Sequence, residues 1–372
     1  MKYPVSEPDL GPLELRYVED AVRSTWISSS GKYLDRFESE FAEIVTSHQV
    51  LAVSNGTVAL HLILLGLGIG PGDEVIVPTF TYIASVNAIK YVGAAPVFVD
   101  VSSQTWGIEA TTVEAAISPR TKAIIGVHLY GQPFDLGPIV SLAKKYNVHL
   151  VEDAAEAPFS TYKGVPVGSF GIASSFSFYG NKVITSGEGG AIATSDSALA
   201  DRMRVIRSQG MDPNQRYFFP VIGHNFRLTN VAAAILCAQL ERLPDILAKR
   251  HELCEAYDIE IGSIQELSVQ QKMEWSTWTP WLASVTLDER YKGSRSKLLT
   301  QLDSRGVETR PFFIPVHQMP PYRNEEVSDI EFPVSCSVAQ LGFNLPTSSN
   351  MSTQDARNIM DIVKTSLTLS RV

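Results

Sequence analysis

The sequence has little cysteine, no long apolar run and no leader-like start. Its three cysteines, Cys237, Cys254 and Cys336, are widely spaced and odd in number, which fits neither a disulfide framework nor a Cys-x-x-Cys metal site. The longest apolar run, 58–70, is interrupted by His61 and is too short to span a bilayer. The first residues, MKYPVSEPDLG, include acidic side chains and no apolar core, unlike a signal peptide. These absences predict a cytoplasmic protein with no metal site and no membrane segment.

Charge excludes a further class of partner. The 372 residues carry 31 basic and 40 acidic side chains, a net charge of -9, and no segment is dominated by basic residues. A nucleic-acid partner is therefore not expected. The negative net charge does not exclude an anionic small-molecule substrate, because helix N-termini and a few local cations bind anions even in an acidic protein.

Between residues 49 and 195, short β-branched runs alternate with amphipathic segments. This alternation predicts an α/β fold with a mainly parallel seven-stranded sheet between helices. Ligands of such sheets collect at the carboxyl ends of the strands. The predicted strands are 49–53, 74–77, 96–99, 122–127, 148–151, 174–178 and 191–194.

The pattern changes after residue 195. A long helix is predicted to begin with Thr229 as its N-cap and to bend at Pro244, and mixed helical and strand-like pieces follow. We therefore predict a large α/β domain at residues 1–243, with an N-terminal helical segment, and a small α+β domain at 244–372.

The strongest local signal is SSFSFYGNKVITSGEGGA, residues 174–191. A strand runs into a polar turn with one lysine, Lys182, and a glycine-rich stretch then enters another strand. A lysine at a strand end suits a Schiff base with a carbonyl cofactor, because burial and nearby cations free its amine. A surface lysine in a turn is the alternative.

Two further segments place polar groups at strand ends. In LVEDAAEAP, Glu152 and Asp153 end a strand, and one carboxylate there can keep a pyridinium nitrogen protonated. Strand alternation puts the two on opposite faces, so they are not expected to share a role. In AVSNGTVALHL, the N–H groups of Gly56 and Thr57 open a helix and suit a phosphate. Plain helix N-caps are the alternative in both segments.

Together these segments resemble the fold-type I aminotransferases that use pyridoxal phosphate (PLP), and within them the nucleotide-sugar aminotransferases of the DegT family. The resemblance runs from WISSSGKYLDRFE through SNGTVALHL, VEDAAEA, FSFYGNKVITSGEGGA and GHNFRLTN to VETRPFFIPVHQMPPY. It implies the aspartate-aminotransferase-like fold, PLP as cofactor, glutamate as amino donor and a nucleotide sugar as acceptor. It also implies a homodimer whose active sites are shared between subunits.

The resemblance implies roles around the cofactor ring. By similarity, Lys182 is the catalytic residue that holds the cofactor covalently, and Asp153 pairs with the ring nitrogen. Tyr82 matches the aromatic position that stacks on the ring. Glu156 matches the position beside the ring hydroxyl.

It likewise implies four contacts to the cofactor phosphate. Gly56 and Thr57 match positions that supply backbone N–H groups, and Ser177 matches a hydroxyl contact. Asn225, in the GHNFR segment, matches the residue that reaches across to the partner's cofactor phosphate.

The substrate that the resemblance favours is a GDP-linked 4-keto sugar. The FYGNK form and the segment RSQGMDPNQRYFFPVIGHNFRLTN look most like the GDP-perosamine synthases, which aminate C4 of GDP-4-keto-6-deoxymannose. Amination at C4 of dTDP- or UDP-4-keto-6-deoxyglucose is the alternative, followed by amination at C3. A relative that dehydrates a keto sugar has histidine at the Lys182 position, which disfavours that reaction here. A PLP-binding regulator is disfavoured because Lys182, Asp153 and Ser177 are all present and no basic helix-turn-helix extension is found.

Three residues are candidates for substrate contacts. Lys32 precedes a helix and could meet the diphosphate, with a solvated lysine as the alternative. Arg310 and His317 flank the PFFIPV run that the resemblance places near the active-site mouth. A buried, hydrogen-bonded histidine is the alternative for His317, and Trp281 is expected in the core or in an interface.

Overall fold

The structure is a computed structural model that describes residues 2–324 and 327–370. The remaining residues of the two predicted domains, 1, 325–326 and 371–372, lie outside the described residues. The strands in chain order are β1 (Gln49–Val53), β2 (Glu74–Pro78), β3 (Ala95–Val99), β4 (Thr121–Val127), β5 (His149–Asp153), β6 (Thr161–Tyr162), β7 (Val165–Pro166), β8 (Ala173–Ser177), β9 (Gly190–Thr194), β10 (Leu267–Val269), β11 (Ser276–Thr277), β12 (Ala283–Leu287), β13 (Arg310–Pro311) and β14 (Gly342–Leu345).

Twelve α-helices are found among the described residues, and most of them connect strands. They are α1 (Pro12–Arg23), α2 (Lys32–Ile44), α3 (Gly56–Gly66), α4 (Ala84–Tyr91), α5 (Ala110–Ala116), α6 (Leu136–Tyr146), α7 (Ser197–Arg207), α8 (Asn230–Glu241), α9 (Leu243–Ile261), α10 (Arg295–Ser304), α11 (Pro333–Leu341) and α12 (Thr353–Ser370). Among the described residues, no helix combines the length and the apolar character needed to cross a bilayer.

The large sheet has seven strands in the order β1-β9-β8-β5-β4-β2-β3. Four neighbouring pairs are parallel, and β9 runs antiparallel to both β8 and β1. The predicted α/β class with a mainly parallel seven-stranded sheet is therefore confirmed. Buried β-branched and other apolar side chains on the central strands explain the arrangement, because such strands need cover on both faces.

The reversed direction of β9 brings three chain segments to one edge of the sheet. Gly190, the first residue of β9, pairs with Ser177 at the end of β8 and with Val53 at the end of β1. The glycine-rich stretch therefore returns the chain to the edge at which the parallel strands end. The sequence pattern predicted these strands but not this reversal.

The predicted long helix is two helices in the structure. Thr229 is the N-cap of α8, and its hydroxyl oxygen accepts a hydrogen bond from the Ala232 N–H at 3.2 Å. Pro244 lies in the first turn of the next helix, α9, where its missing N–H costs no intrahelical hydrogen bond. The chain consequently starts a new helix at Leu243 rather than bending one.

A smaller antiparallel sheet, in the order β10-β12-β14-β13, packs with α9, α10 and α12 around a second apolar cluster. Tyr3 belongs to this cluster and forms a bridge with Val307, so the start of the chain joins the smaller layer. The edge strand β13 is only the pair Arg310–Pro311, and proline is tolerated at such an edge although it cannot donate to a strand ladder. The domain boundary at 243/244 stays a prediction.

Candidate active site

A cavity of about 620 Å³ lies at the edge where β5 and β8 end. Its walls come from the start of α3, from those two strand ends, from the lysine loop (residues 178–189) and from the smaller sheet. The chemically distinctive residues of this wall, in chain order, are Gly56, Thr57, Tyr82, Asp153, Glu156, Ser177, Lys182 and Arg310. The structure thus brings together eight of the site residues predicted from the sequence.

Asp153 is held rigidly at the end of β5. It is 6 % exposed, and its Oδ2 accepts a hydrogen bond from the Ser85 hydroxyl at 2.8 Å. Its Oδ1 accepts from the Ala155 N–H at 3.2 Å and from the Ser175 hydroxyl at 3.3 Å. Three donors to one carboxylate fix its orientation.

Glu152, the preceding residue, has a different task. Its two oxygens accept hydrogen bonds from the N–H groups of Gly168, Phe170 and Gly171 at 2.7–2.8 Å. It also contacts His128 Nε2 at 3.1 Å, and it does not line the cavity. Glu152 therefore anchors a buried loop, and strand alternation separates the two carboxylates as expected.

Lys182 is a partly buried amine inside the lysine loop. Its Nζ lies 4.0 Å from the centre of the Trp281 ring. The backbone N–H of Lys182 donates a hydrogen bond to the Tyr179 carbonyl at 2.9 Å. Burial lowers the pKa of Lys182, the carboxylates of Glu156 and Asp153 oppose that change, and the charge of Arg310 adds to it. The lowered pKa enlarges the neutral fraction of the amine, which is the nucleophilic form.

Glu156 is a buried carboxyl group next to that lysine. Burial raises its pKa to about 7, against the opposing effects of Lys182 and of the Tyr130 N–H, which donates to Oε2 at 2.8 Å. Tyr130 holds this position with a positive φ of 52°, an uncommon backbone state for a residue other than glycine. At neutral pH Glu156 can therefore hold or release a proton.

The first turn of α3 and Ser177 form a cradle for an anion. The N-cap of α3 is Asn55, whose side-chain oxygen accepts from the Val58 N–H at 3.0 Å. A Cβ on Gly56 would lie 3.0 Å from Cβ of Ser177 and 3.4 Å from its hydroxyl oxygen, so the open helix N-terminus and that hydroxyl are neighbours. Free N–H groups, the helix dipole and a hydroxyl together suit a phosphate.

Gly190 allows this cradle to close. A Cβ at residue 190 would lie 2.5 Å from the Asn55 carbonyl carbon and 2.9 Å from the Gly56 nitrogen. Any other residue would push β9 away from the start of α3. The last glycine of GEGG is therefore required by the close packing of β9 against the start of α3.

Three predicted residues lie outside this cavity wall. Lys32 forms an exposed ion pair with Asp20 at 2.6 Å. His317 is 4 % exposed and is hydrogen-bonded through Nδ1 to the Thr79 hydroxyl at 2.7 Å and through Nε2 to Asp329 at 2.9 Å. These are the contacts of a buried, hydrogen-bonded histidine.

Asn225, the third of them, is exposed on its own chain. Its Oδ1 accepts a hydrogen bond from the Arg227 side chain at 2.9 Å.

Sequence reasoning missed several residues of the site. Ser85 orients Asp153, Trp281 packs under Lys182, and Asn344 faces the cavity from β14. Trp281, expected in the core or in an interface, is buried and also forms part of the cavity wall. No pattern in the sequence marks these positions, because they lie far along the chain from the residues that they contact.

The residues present fit PLP. The cradle of Gly56, Thr57 and Ser177 suits its phosphate, and Asp153 suits a protonated ring nitrogen. Lys182 supplies the amine. Tyr82 lies at the cavity wall and is 55 % exposed, with its ring centre 5.6 Å from that of Phe313, so its ring is accessible for stacking.

Comparison with known proteins supports the same assignment. Residues 8–364 match the DegT/DnrJ/EryC1/StrS aminotransferase family. The chain is 45% identical to a GDP-perosamine synthase of Escherichia coli O157:H7, covering 98% of both chains, and 44% identical to that of Caulobacter vibrioides, covering 96% of both. The crystal structure of the aminotransferase TlmJ from Streptoalloteichus hindustanus superposes with a TM-score of 0.93 at 32% identity, covering 99% of both chains.

These findings confirm the family and the cofactor that the sequence predicted. The chain belongs to the DegT/DnrJ/EryC1/StrS aminotransferase family and is a PLP-dependent aminotransferase.

Proposed function

We propose that the enzyme transfers an amino group from glutamate to C4 of GDP-4-keto-6-deoxymannose and so produces GDP-perosamine. One observation carries the chemistry: a single partly buried lysine, Lys182, faces two buried carboxyl groups, Asp153 and Glu156, in one cavity. The choice of sugar rests on the two GDP-perosamine synthases that match the whole chain at 44% and 45% identity.

Each polar group has a role in this proposal. When bound, PLP supplies an electron-accepting ring that lets a proton leave the amino-bearing carbon of the donor. Asp153 keeps the ring nitrogen protonated. Lys182, once its amine is free, would move that proton between the amino-bearing carbon and the cofactor carbon on the other side of the shared nitrogen, in one direction in the first half-reaction and in the reverse direction in the second. Glu156, with its pKa near 7, holds a proton beside the ring hydroxyl.

The enzyme is further proposed to be a homodimer with shared sites. Asn225 lies outside the cavity of its own chain, and the segment before it exposes a run of large apolar side chains, from Tyr217 at 73 % to Ile222 at 92 %. Exposed aromatic and aliphatic side chains of this kind fit an interface. Asn225 is then available to the cofactor phosphate of the partner subunit. The cytoplasmic location stays a prediction.

The substrate test offers two keto sugars to the PLP-loaded enzyme with glutamate. GDP-4-keto-6-deoxymannose and dTDP-4-keto-6-deoxyglucose are supplied in parallel, and mass spectrometry follows the exchange of the ketone oxygen for an amine. Lys182→Ala is expected to abolish turnover, whereas Lys163→Ala, an exposed lysine on the β6–β7 turn, keeps it. Turnover of the dTDP sugar alone would support the proposed amino transfer but refute GDP-4-keto-6-deoxymannose as the substrate. Turnover of neither sugar would refute the substrate class tested.

A mixing experiment tests the shared site. Lys182→Ala and Asn225→Asp are each expected to be inactive, the second because it places a negative charge beside the phosphate. A hybrid dimer has one intact site if Asn225 serves the partner subunit, so an equal mixture regains about a quarter of the wild-type activity. No regain in hybrids purified with two affinity tags would assign Asn225 to its own chain's site.

A further inference from the structure

The side chain of Trp281 connects the smaller sheet with the lysine loop. Trp281 lies just before β12 and is only 4 % exposed. Its indole N–H donates a hydrogen bond to the carbonyl of Asn181 at 2.8 Å, and its ring centre lies 4.0 Å from Nζ of Lys182. One side chain therefore contacts both the amine of Lys182 and the backbone that precedes it.

A buried arginine fixes the backbone that carries this ring. Arg250 on α9 is 2 % exposed, and its Nη1 donates hydrogen bonds to the carbonyls of Pro280 and Trp281 at 3.1 and 2.9 Å. The N–H of Trp281 donates to the carbonyl of Thr279 at 2.8 Å. Because buried hydrogen bonds are costly to break, the ring is held in place over the amine.

The amine of Lys182 lies against this ring without a stronger partner. Glu156 and Asp153 favour its charged form through their negative charges, but among the residues that the structure describes neither carboxylate accepts a hydrogen bond from Nζ. The face of an indole attracts an ammonium group through its quadrupole. Unlike a hydrogen-bonded carboxylate, that face stabilises the charge while the N–H groups stay available to the cavity.

We propose that Trp281 is a positioning residue that holds the free amine of Lys182 against its ring between the two half-reactions. Burial favours the neutral amine, whereas the ring favours the charged one, so the amine can both take up a proton and release it. The proposal rests on the amino transfer of the proposed function and goes beyond it, because neither the donor nor the sugar enters the argument.

Two substitutions separate the ring face from the hydrogen bond of the indole. Trp281→Phe and Trp281→Leu both lose the bond to the Asn181 carbonyl, and only the first keeps an aromatic face. The chain also offers a matched control, because Nζ of Lys272 lies 4.2 Å from the ring centre of Trp278 and neither residue lines the active-site cavity. Trp278→Leu is therefore expected to leave the behaviour of Lys182 unchanged.

The first measurement needs no turnover. The full chain is loaded with pyridoxamine phosphate, which leaves the amine of Lys182 free, and mass spectrometry follows the acylation of Lys182 at a series of pH values. Each rate is divided by the plateau that the same variant reaches at high pH, which corrects for access. On the acidic side, Trp281→Leu is expected to react about three- to tenfold faster than Trp281→Phe, because loss of the ring enlarges the neutral fraction of the amine. Equal profiles would refute the proposal.

A change that keeps the shape of the ring guards against misfolding of the variants. Replacing the five tryptophans of the chain by fluorinated tryptophan weakens the attraction of each ring face for a cation. The acylation profile of Lys182 is expected to move to lower pH in the fluorinated wild type. It is expected to stay in place in fluorinated Trp281→Phe, in which only the other tryptophans are changed. An unmoved profile in the fluorinated wild type would contradict the role of the ring.

The donor half-reaction completes the test, with glutamate as donor and the visible absorbance of the cofactor as readout. Trp281→Leu is expected to lower the maximal rate about tenfold while the half-saturating glutamate concentration changes less than about threefold, and Trp281→Phe recovers most of the rate. A raised half-saturating concentration at an unchanged rate would make Trp281 a wall for the donor and refute its role toward the amine. Failure of glutamate with the wild type would refute the proposed donor alone, and the acylation profiles, obtained without donor or sugar, then decide the role of Trp281.

Discussion

Glu156 gives the clearest quantitative prediction from the structure. Burial raises its pKa from 4.5 to about 7, and the side chain is only 5 % exposed, so solvent screens this effect little. In the unfolded chain the carboxyl group ionises near its ordinary pKa. Folding without cofactor therefore becomes less favourable as the pH rises from about 4.5 to 7, because the folded state binds the proton more tightly.

The size of the effect follows from the two pKa values. Linkage gives a destabilisation on the order of 1 kcal/mol at pH 5 and of roughly 3 kcal/mol at pH 8. Glu156→Gln removes the titration and keeps an oxygen that can accept the hydrogen bond from the Tyr130 N–H. The stability of the variant relative to wild type is therefore expected to increase by roughly 2–3 kcal/mol between pH 5 and pH 8.

The assay is urea unfolding of the cofactor-free protein at a fixed protein concentration, at several pH values between 5 and 8. Glu188→Gln, an exposed carboxylate of the same cavity, controls for the substitution itself. Parallel stability curves for wild type and Glu156→Gln would refute the argument, because they would mean that the folded protein does not hold this proton.

Two further substitutions test the geometry of the site. Gly190→Ala places a Cβ 2.5 Å from backbone at Asn55 and is expected to cost about 1–3 kcal/mol of stability and to weaken PLP binding, measured by absorbance titration, at least about tenfold. Gly180→Ala is the control, because a Cβ at residue 180 would lie 3.9 Å from its nearest neighbour, and this variant is expected to keep the wild-type stability and PLP affinity. Equal PLP affinity in the two variants would contradict the role of Gly190. Ser85→Ala removes the hydrogen bond to Asp153 and is expected to lower kcat about ten- to a hundredfold with PLP still bound; an unchanged kcat would show that this bond does not position the carboxylate.

The sheet edge was predictable from the sequence for a physical reason. Fully buried parallel strands need continuous apolar runs, so the runs mark the strands and the polar residue after each run marks its carboxyl end. Asp153 follows from this rule, whereas Ser177 was placed inside the predicted strand 174–178 and was identified by the resemblance to the aminotransferases. The same rule does not predict the direction of a strand, and the antiparallel course of β9 came only from the structure.

Contacts between distant segments were not predictable in this way. Asp153 meets Ser85, which is 68 residues away, and Lys182 packs on Trp281 about a hundred residues further on. Periodicity reports which face of an element is buried, but it carries no information about which distant element covers that face. Arg310 was a candidate from the sequence, but its position in the same cavity wall as Lys182 and Asp153 is visible only in three dimensions.

Glu152 and Asp153 show how one strand end can provide both rigidity and reactivity. The carboxylate of Glu152 contacts three backbone N–H groups and His128, so it fixes the loop at residues 168–171. The carboxylate of Asp153 accepts hydrogen bonds from Ser85, Ser175 and the Ala155 N–H and also lines the cavity. Because the side chains of a strand alternate, exchanging the two roles would require a one-residue shift of β5 against β4 and β8, which would also turn its apolar residues to the wrong faces. The register of the core and the placement of Asp153 at the cavity are therefore set by the same apolar pattern.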